Sequence, residues 1–440
     1  MPDSPPPAPV RRVLLLGAAG FIGSAVAARL VSSGVEVVAV VRGAGPSERR
    51  LRGCSLVRAD LRAMGDPERW AEHLRGIDAV VNCAGVLQDG GRDRTGAVHV
   101  AAPQALYQAC ERAGVRRVVH FSAMNVDRGG ISAFSRTKRE IEDWLAQSAL
   151  DWVVLRPSVV VGRAAFGGSA LFRGLAALPV LPRIANAGPI AVVQLDDVVE
   201  TVARLLNSSA PSRVAIDLAG PQALPLEDVI AKYRAWLGWR PARAVRGMAP
   251  LLSLGYRLGD LAGRLGWRPA VRTTGRIELE RGALADPTDW TRLTGVAPQP
   301  LDAALTREPA SVQERWFARL FLLKPLALVT FALFWLMTGF VSLGPGFDVG
   351  MEYMRRADAG ALSAPSVIAG GLADVAIGLG LLWRRTAKPA LLAALALTLA
   401  YLVIGTLILP SLWQDPLGPM MKVWPILAFN LLLLAILDER

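Results

Sequence analysis

The last quarter of this 440-residue chain is almost wholly apolar, and a chain with several such runs in succession has few ways to fold in water. Four stretches, 325–343, 359–383, 389–413 and 416–437, read as bilayer spans, each needing about 20 residues to cross the hydrocarbon core. The fourth is free of charge only from Val423 to Leu437 and must extend back past Lys422, whose ammonium can snorkel to the interface. Hydrophobic residues make up 52% of the chain, a fraction that reflects these runs rather than an unusually apolar soluble core. The sequence therefore predicts a soluble N-terminal region of about 310 residues, long enough to bury a core of its own, followed by a four-helix transmembrane bundle.

The N-terminal MPDSPPPAPVRR is proline-rich and lacks the charged, apolar and small-residue regions of a secretory signal, so the soluble part is expected in the cytoplasm. Four spans return the C-terminus to the same side. Arg315, Arg319, Lys324, Arg384, Arg385, Lys388 and Arg440 then lie inside, against Arg355, Arg356 and Lys422 outside. That bias predicts a multi-pass protein of an inner or plasma membrane with both termini cytoplasmic.

Cys54, Cys83 and Cys110 are spaced unlike any metal site and only three His are present, so free reduced thiols and no metal are expected. The net charge of +12 raises nucleic acid as a partner, but the arginine excess sits at Arg240, Arg243, Arg246, Arg257, Arg264, Arg268, Arg272 and Arg276. No nucleic-acid-binding motif accompanies it, so no nucleic acid is expected. Within that block Leu251, Leu254, Leu258, Leu261 and Leu265 recur at steps of three and four. A helix there either lies on anionic membrane lipid or packs its stripe onto the soluble domain. Gly255, Gly259 and Gly263 weaken the helix in both cases.

Val13–Leu16 is a short apolar strand that meets GAAGFIGS, and a helical pattern follows from Phe21 to Val31. Strand, glycine-rich turn and helix in this order fit a dinucleotide's pyrophosphate. Gly17 permits the tight turn, Gly20 lets backbone approach the phosphates, and Gly23 lets helix pack closely on strand. The unpaired amides around Phe21 and Ile22 face the anion. After the second strand, Val35–Val41, stands Arg42 where a carboxylate would bind the ribose of NAD. A guanidinium there suits a 2′-phosphate, which favours NADP(H) over NAD(H); the alternative is a solvated loop residue. Further strand-like runs at 56–58, 79–82, 118–122 and 152–155 alternate with helix-like stretches, which implies an α/β fold with a doubly wound parallel Rossmann-type sheet.

Over residues 11–305 the chain resembles the short-chain dehydrogenase/reductase superfamily, in the extended or atypical branch that includes the dehydrogenase-like accessory subunit of respiratory complex I. The resemblance rests on GAAGFIGS, AD at 59–60, NCAG at 82–85, FSAM at 121–124, SRTK at 135–138 and LRPSVVVG at 155–162. It implies that Asp60, with Leu61 beside it, contacts adenine, that Cys83, Ala84 and Gly85 line the cofactor, and that the segment from Pro157 to Val160, Val159 included, lies beneath the nicotinamide. It also implies a Ser, Tyr and Lys catalytic set. Ser122 and Lys138 fit two members, but four residues before Lys138 stands Phe134. Benzene performs neither proton step of a phenol, and losing a positioned acid or base lowers rates by about 10² to 10⁴.

Two functions remain open on the sequence. One is a membrane-anchored NAD(P)(H)-dependent oxidoreductase or isomerase with an altered site, acting on a lipid, isoprenoid or quinone-like substrate. The other is a non-catalytic NADPH-binding structural or redox-sensing subunit of a membrane complex. GPQALPLEDVIAKYRAWLG at 220–238 resembles the small substrate lobe of the extended branch. Residues 321–440 resemble DoxX-like four-helix modules. The second span carries Ser366, Gly370, Asp374 and Gly378 at steps of four. Asp374 is then either a functional polar site or structural glue bonded across helices, for example to Asn430. The expected organisation is a tail at 1–11, an NAD(P)-binding Rossmann domain at 12–160, the rest of the sheet with a substrate lobe at 161–305, a linker or interfacial helix at 306–324, and the membrane domain at 325–440. A homodimer or a larger membrane complex is an open possibility.

Overall fold

A computed structural model describes residues 10–43, 46–90, 94–127, 132–182, 187–207, 209–245, 249–416 and 418–438. Most of the expected N-terminal tail, Arg246 and Arg440 lie outside the described residues. The chain forms two compact units: one runs to Asp260 and from Pro269 to Ala318, and the other comprises Leu261–Arg268 and Arg319 onward.

The first unit holds β1 (Arg12–Leu16), β2 (Glu36–Val41), β3 (Ser55–Arg58), β4 (Ala79–Asn82), β5 (Arg117–Phe121), β6 (Asp151–Pro157), β7 (Val160–Val161), β8 (Val180–Pro182), β9 (Val193–Gln194), β10 (Val214–Leu218) and β11 (Arg243–Val245). Seven of these make one parallel sheet in the order β10-β6-β5-β4-β1-β2-β3. Runs such as VLLL and VVAVV suit it because a parallel strand is covered on both faces and needs no polar alternation. Val13 and Leu15 of β1 join one apolar cluster with Val26 and Leu30 of α1 (Phe21–Ser32) and Val198 and Val202 from a helix at 195–205. Leu14 and Leu16 join the other cluster. The helices there are α2 (Glu68–Ala71), α3 (Ala102–Ala113) and α4 (Ala133–Gln147). The fold is thus the expected doubly wound α/β architecture. Strand order reverses between β1 and β4, which opens a crevice at their carboxyl ends, at Leu16 and Asn82.

A smaller lobe packs α5 (Gly167–Ala176), α7 (Leu226–Trp236) and α11 (Leu301–Arg307) around Phe172, Val229, Ile230, Tyr233 and Leu301. Arg173 is buried in it, its guanidinium 5.6 and 5.1 Å from the ring centroids of Tyr233 and Trp236. Aromatic faces and the Gly162 carbonyl compensate this cation in place of a carboxylate. Between these elements lie α6 (Leu195–Leu205), α8 (Ala249–Arg264), α9 (Thr273–Arg281) and α10 (Thr288–Thr294). Trp290 of α10 is buried and its indole donates to Thr201 Oγ1 at 2.8 Å. The arginine-rich block does form a helix, α8; of its leucine stripe Leu251, Leu254, Leu258 and Leu261 are exposed and Leu265 is partly buried.

The expected linker or interfacial helix at 306–324 is helical from residue 312: α12 (Val312–Leu343) runs unbroken for 32 residues with Pro325 in its interior. At 1.5 Å per residue it is about 48 Å long, longer than the roughly 30 Å hydrocarbon core. The helix extends N-terminally past Pro325 because the proline removes one donor without stopping it. An amphipathic helix, α13 (Phe347–Arg356), follows, then α14 (Ser363–Leu382), α15 (Ala387–Ile408) and α16 (Val423–Ile436). Among the described residues three helices, α12, α14 with its preceding turn, and α15, are long and apolar enough to cross a membrane. The fourth expected span, α16, is apolar but has 14 residues, about 21 Å of rise. The third expected span, 389–413, is a helix only to Ile408 and continues as a 3-10 turn.

Candidate functional site

The turn after β1 is shaped by two glycines. Gly17 has a φ of +69°, and a Cβ there would stand 2.7 Å from the Cys83 carbonyl and the Ala84 nitrogen of the neighbouring strand's exit. At Gly23 a Cβ would stand 2.3 Å from the Gly17 oxygen, so α1 begins directly against the turn. Gly20 caps the helix with extended backbone and no side-chain hydrogen bond. The first-turn amides of Phe21, Ile22 and Gly23 therefore have no capping side chain, the arrangement that binds an anion. These features fit a dinucleotide's pyrophosphate.

At the adjacent edge, Ala59 donates to the Val41 carbonyl at 2.9 Å, which brings Arg42 and Asp60 together at the ends of β2 and β3. Asp60 caps the short turn Leu61–Ala63, and both its oxygens accept from Arg62 Nε at 3.0 Å. Those Arg62 hydrogen bonds, with help from the Arg42 charge, hold the Asp60 carboxyl below its ordinary range. Sequence reasoning missed Arg62, which, with Arg42, makes a second guanidinium acting on Asp60.

The NCAG loop is pinned from below. Asn82 accepts from the Ala84 amide at 3.0 Å and donates to the Tyr107 hydroxyl at 3.1 Å, which in turn lies 2.7 Å from His120 Nδ1. All three side chains are buried. Burial pushes the Cys83 thiol up, which disfavours the thiolate there. Lys138, buried on α4, donates to the carbonyls of Phe121 (2.6 Å) and Ala84 (3.4 Å). Burial lowers its pKa to about 8, against the opposing pull of Glu142 one turn on. Glu142 is itself held by Arg156.

Ser122, directly after β5, is buried, and its hydroxyl has no hydrogen-bond partner among the described residues. Phe134 turns its ring edge-on to His99, with centroids 5.6 Å apart. His99, unmarked in the sequence reading, is fully buried. Its Nε2 accepts from the Val86 amide at 2.9 Å and its Nδ1 lies 2.7 Å from Thr137 Oγ1. The Val86 bond assigns the proton to Nδ1, and burial drops the pKa to about 2. Both ring nitrogens are thus engaged. Beside Phe134, Ser132 and Ser135 both donate to Glu278 of α9 (2.5 and 2.6 Å), and Arg281 bonds Ser135 Oγ at 3.0 Å. Ser158, between Pro157 and Val159, donates to the Ala283 carbonyl at 3.1 Å, and Val159 accepts from Val193 at 3.1 Å. Among the described residues no cluster of three or more His, Cys, Asp or Glu could hold a metal.

In the membrane unit Asp374 is buried, and its partner is the Tyr401 hydroxyl of α15 at 3.2 Å. Asn430, the partner considered from sequence, instead donates to the Leu391 carbonyl. Of the expected small residues Gly378 does permit close helix approach, since a Cβ there would stand 2.9 Å from the Leu336 nitrogen, and two glycines outside the expected set add to it. A Cβ at Gly339 would stand 2.6 Å from the Gly371 carbonyl, and one at Gly371 would stand 2.7 Å from Leu343 Cγ.

Comparison with known proteins agrees with this architecture. A family described as NAD(P)H-binding matches residues 17–170, and a DoxX-like family matches residues 332–431. The chain therefore joins an NAD(P)-binding Rossmann domain to a DoxX-like membrane domain. It is 27% identical over 223 residues to an uncharacterized protein of Mycobacterium tuberculosis, a match that covers 50% of this chain and 23% of that one. This chain thus spans under a quarter of that relative's length. Ceramide reductase of Caulobacter vibrioides is 24% identical over 288 residues, 63% of this chain and 85% of that protein. Sterol demethylase protein B of Methylococcus capsulatus is 30% identical over 172 residues, 34% and 51% of the two chains. Solved structures with the fold include MoeE5 bound to UDP-glucose and NAD, at 22% identity and a TM-score of 0.51, covering 71% of this chain and 99% of that one. The NADPH-dependent quinone oxidoreductase of Escherichia coli with NADPH shows 20% identity and a TM-score of 0.51, covering 67% and 99%. Those likenesses establish the fold, and because they include binders of both coenzymes they do not choose between NAD and NADP.

Proposed function

We propose that this chain is a membrane-anchored, NADP(H)-preferring oxidoreductase that reduces a lipophilic, quinone-like acceptor without a positioned proton donor. The observation that carries the reading is the buried, unpartnered Ser122 hydroxyl on the strand end that Lys138 braces. A buried hydroxyl without a partner destabilises a fold by about 1–3 kcal/mol, and a substrate oxygen would relieve that strain. The bound dinucleotide supplies hydride. Ser122 orients and hydrogen-bonds the acceptor oxygen. Lys138 braces the loop carbonyls of Ala84 and Phe121 and contributes positive charge below its pKa of about 8.

The missing phenol restricts the acceptor. Reduction of a simple ketone by hydride leaves a strongly basic alkoxide that needs an acid in place. Reduction of a quinone leaves a phenolate, of a class that titrates near 10, and water can protonate it. The membrane domain supports a lipophilic acceptor, as do the names of the ceramide and sterol relatives. Arg42 and Arg62 flanking Asp60 support NADP(H) through bonding to a 2′-phosphate. A second reading, a redox-sensing or structural subunit that binds NADPH without turning it over, is favoured by the engagement of both His99 nitrogens, so that His99 does not replace the phenol.

The test is NADPH oxidation by the full-length protein in lipid nanodiscs, with quinones and with ketones of matched tail length. The reading expects wild type to reduce quinones only, and Phe134→Tyr to gain ketone reduction by about 10² or more. NADPH binding without oxidation by any quinone would transfer support to the sensing reading.

A further inference from the structure

Helix α8 presents an apolar face that its surroundings leave uncovered. Leu251, Leu254, Leu258 and Leu261 are 58%, 51%, 55% and 51% exposed. Single exposed leucines need no explanation, but a contiguous row on one helix does. The opposite face is the packed one: Gly259 and Gly263 are buried, and a Cβ at Gly259 would stand 1.8 Å from the Val271 carbonyl oxygen. The glycines that weaken the helix by propensity are therefore what lets its backbone lie against that of residue 271. Arg257 and Arg264 are exposed, and at 3.6 residues per turn they border the leucine row.

The end of the helix supplies an independent observation. Residues 261–268 belong to the membrane unit. Within that unit the Leu265 carbonyl accepts from the Arg384 amide at 3.1 Å, and the Trp267 indole donates to the Leu382 carbonyl at 2.7 Å. The Arg384 guanidinium lies 5.6 Å from the Trp267 ring centroid. Leu382 is the last residue of α14, a helix long enough to cross a bilayer. The C-terminal end of α8 is thus tied to the point where a span leaves the hydrocarbon, the level at which Trp and Arg anchor membrane proteins.

We propose that α8 is an in-plane membrane helix, with Leu251, Leu254, Leu258 and Leu261 in the headgroup–acyl boundary and Arg257 and Arg264 on the phosphates of anionic lipid. An amphipathic helix with a basic border is the form that binds such an interface. Its occupant is lipid rather than a second copy of the chain.

Incorporation of the photocrosslinker p-benzoylphenylalanine into the full-length protein, in nanodiscs of phosphatidylcholine with phosphatidylglycerol, tests this directly. At Leu254 or Leu258 the expected adduct is phospholipid, with at least a several-fold lower yield at Ser253, off the stripe. Replacing Arg257 and Arg264 with Gln, or removing phosphatidylglycerol, should lower the Leu258 lipid yield several-fold. Adducts between two copies, adducts within the chain, or equal lipid yields at Ser253 and Leu258 would overturn the proposal. A lipid yield indifferent to both charge changes would overturn its anionic part.

Discussion

A benzene ring at position 134 rather than a phenol changes what its neighbour His99 can do. The imidazole is buried against it with a proton on Nδ1 and the Val86 amide on Nε2, so the folded protein holds it neutral. Its folded pKa of about 2 lies below the ordinary 6.5, so the unfolded chain binds the extra proton first as pH falls. The stability this histidine contributes is present above pH 6.5 and is lost toward pH 2, by at most about 1.4 kcal/mol per pH unit. Melting temperatures of wild type and His99→Gln followed between pH 7 and pH 4 should therefore converge, with wild type falling faster. Parallel curves would show that His99 takes up its proton without unfolding. None of this was legible locally. His99 and Thr137 are 38 residues apart, and Ser132 and Glu278 are 146 apart. By contrast, the Ser122, Phe134 and Lys138 pattern is carried by one strand end and one helix face, and sequence spacing exposes it.

Among the elements, the parallel strands and the first turn were legible because continuous β-branched runs and a glycine spacing encode them locally. The membrane helices were legible as apolar runs but not in their limits. Pro325 looks like a helix start yet sits inside α12, and α13 is amphipathic, so hydropathy alone passes over it. Of the bundle glycines, Gly378 was legible from its spacing of four from Asp374 and does meet Leu336 of α12, whereas Gly371, which faces Leu343, was not, because which face of α14 meets α12 depends on packing. Gly371→Leu should destabilise the membrane unit by about 1–3 kcal/mol through overpacking. Asp374→Asn keeps an acceptor for Tyr401 and should leave the melting temperature in detergent unchanged. A large loss in Asp374→Asn would mean that the carboxylate itself holds α14 to α15.

At the scale of the whole molecule, a dinucleotide-binding sheet and a membrane domain share one chain that passes between its two units three times, after Asp260, Arg268 and Ala318. Titration of the nanodisc-reconstituted chain with NADPH and NADH, read by coenzyme fluorescence, tests the central claim most directly. The account predicts saturable binding with NADPH tighter than NADH, and an Arg42→Ala variant that loses affinity for NADPH while NADH binding is unchanged. Absence of binding for both coenzymes would contradict it.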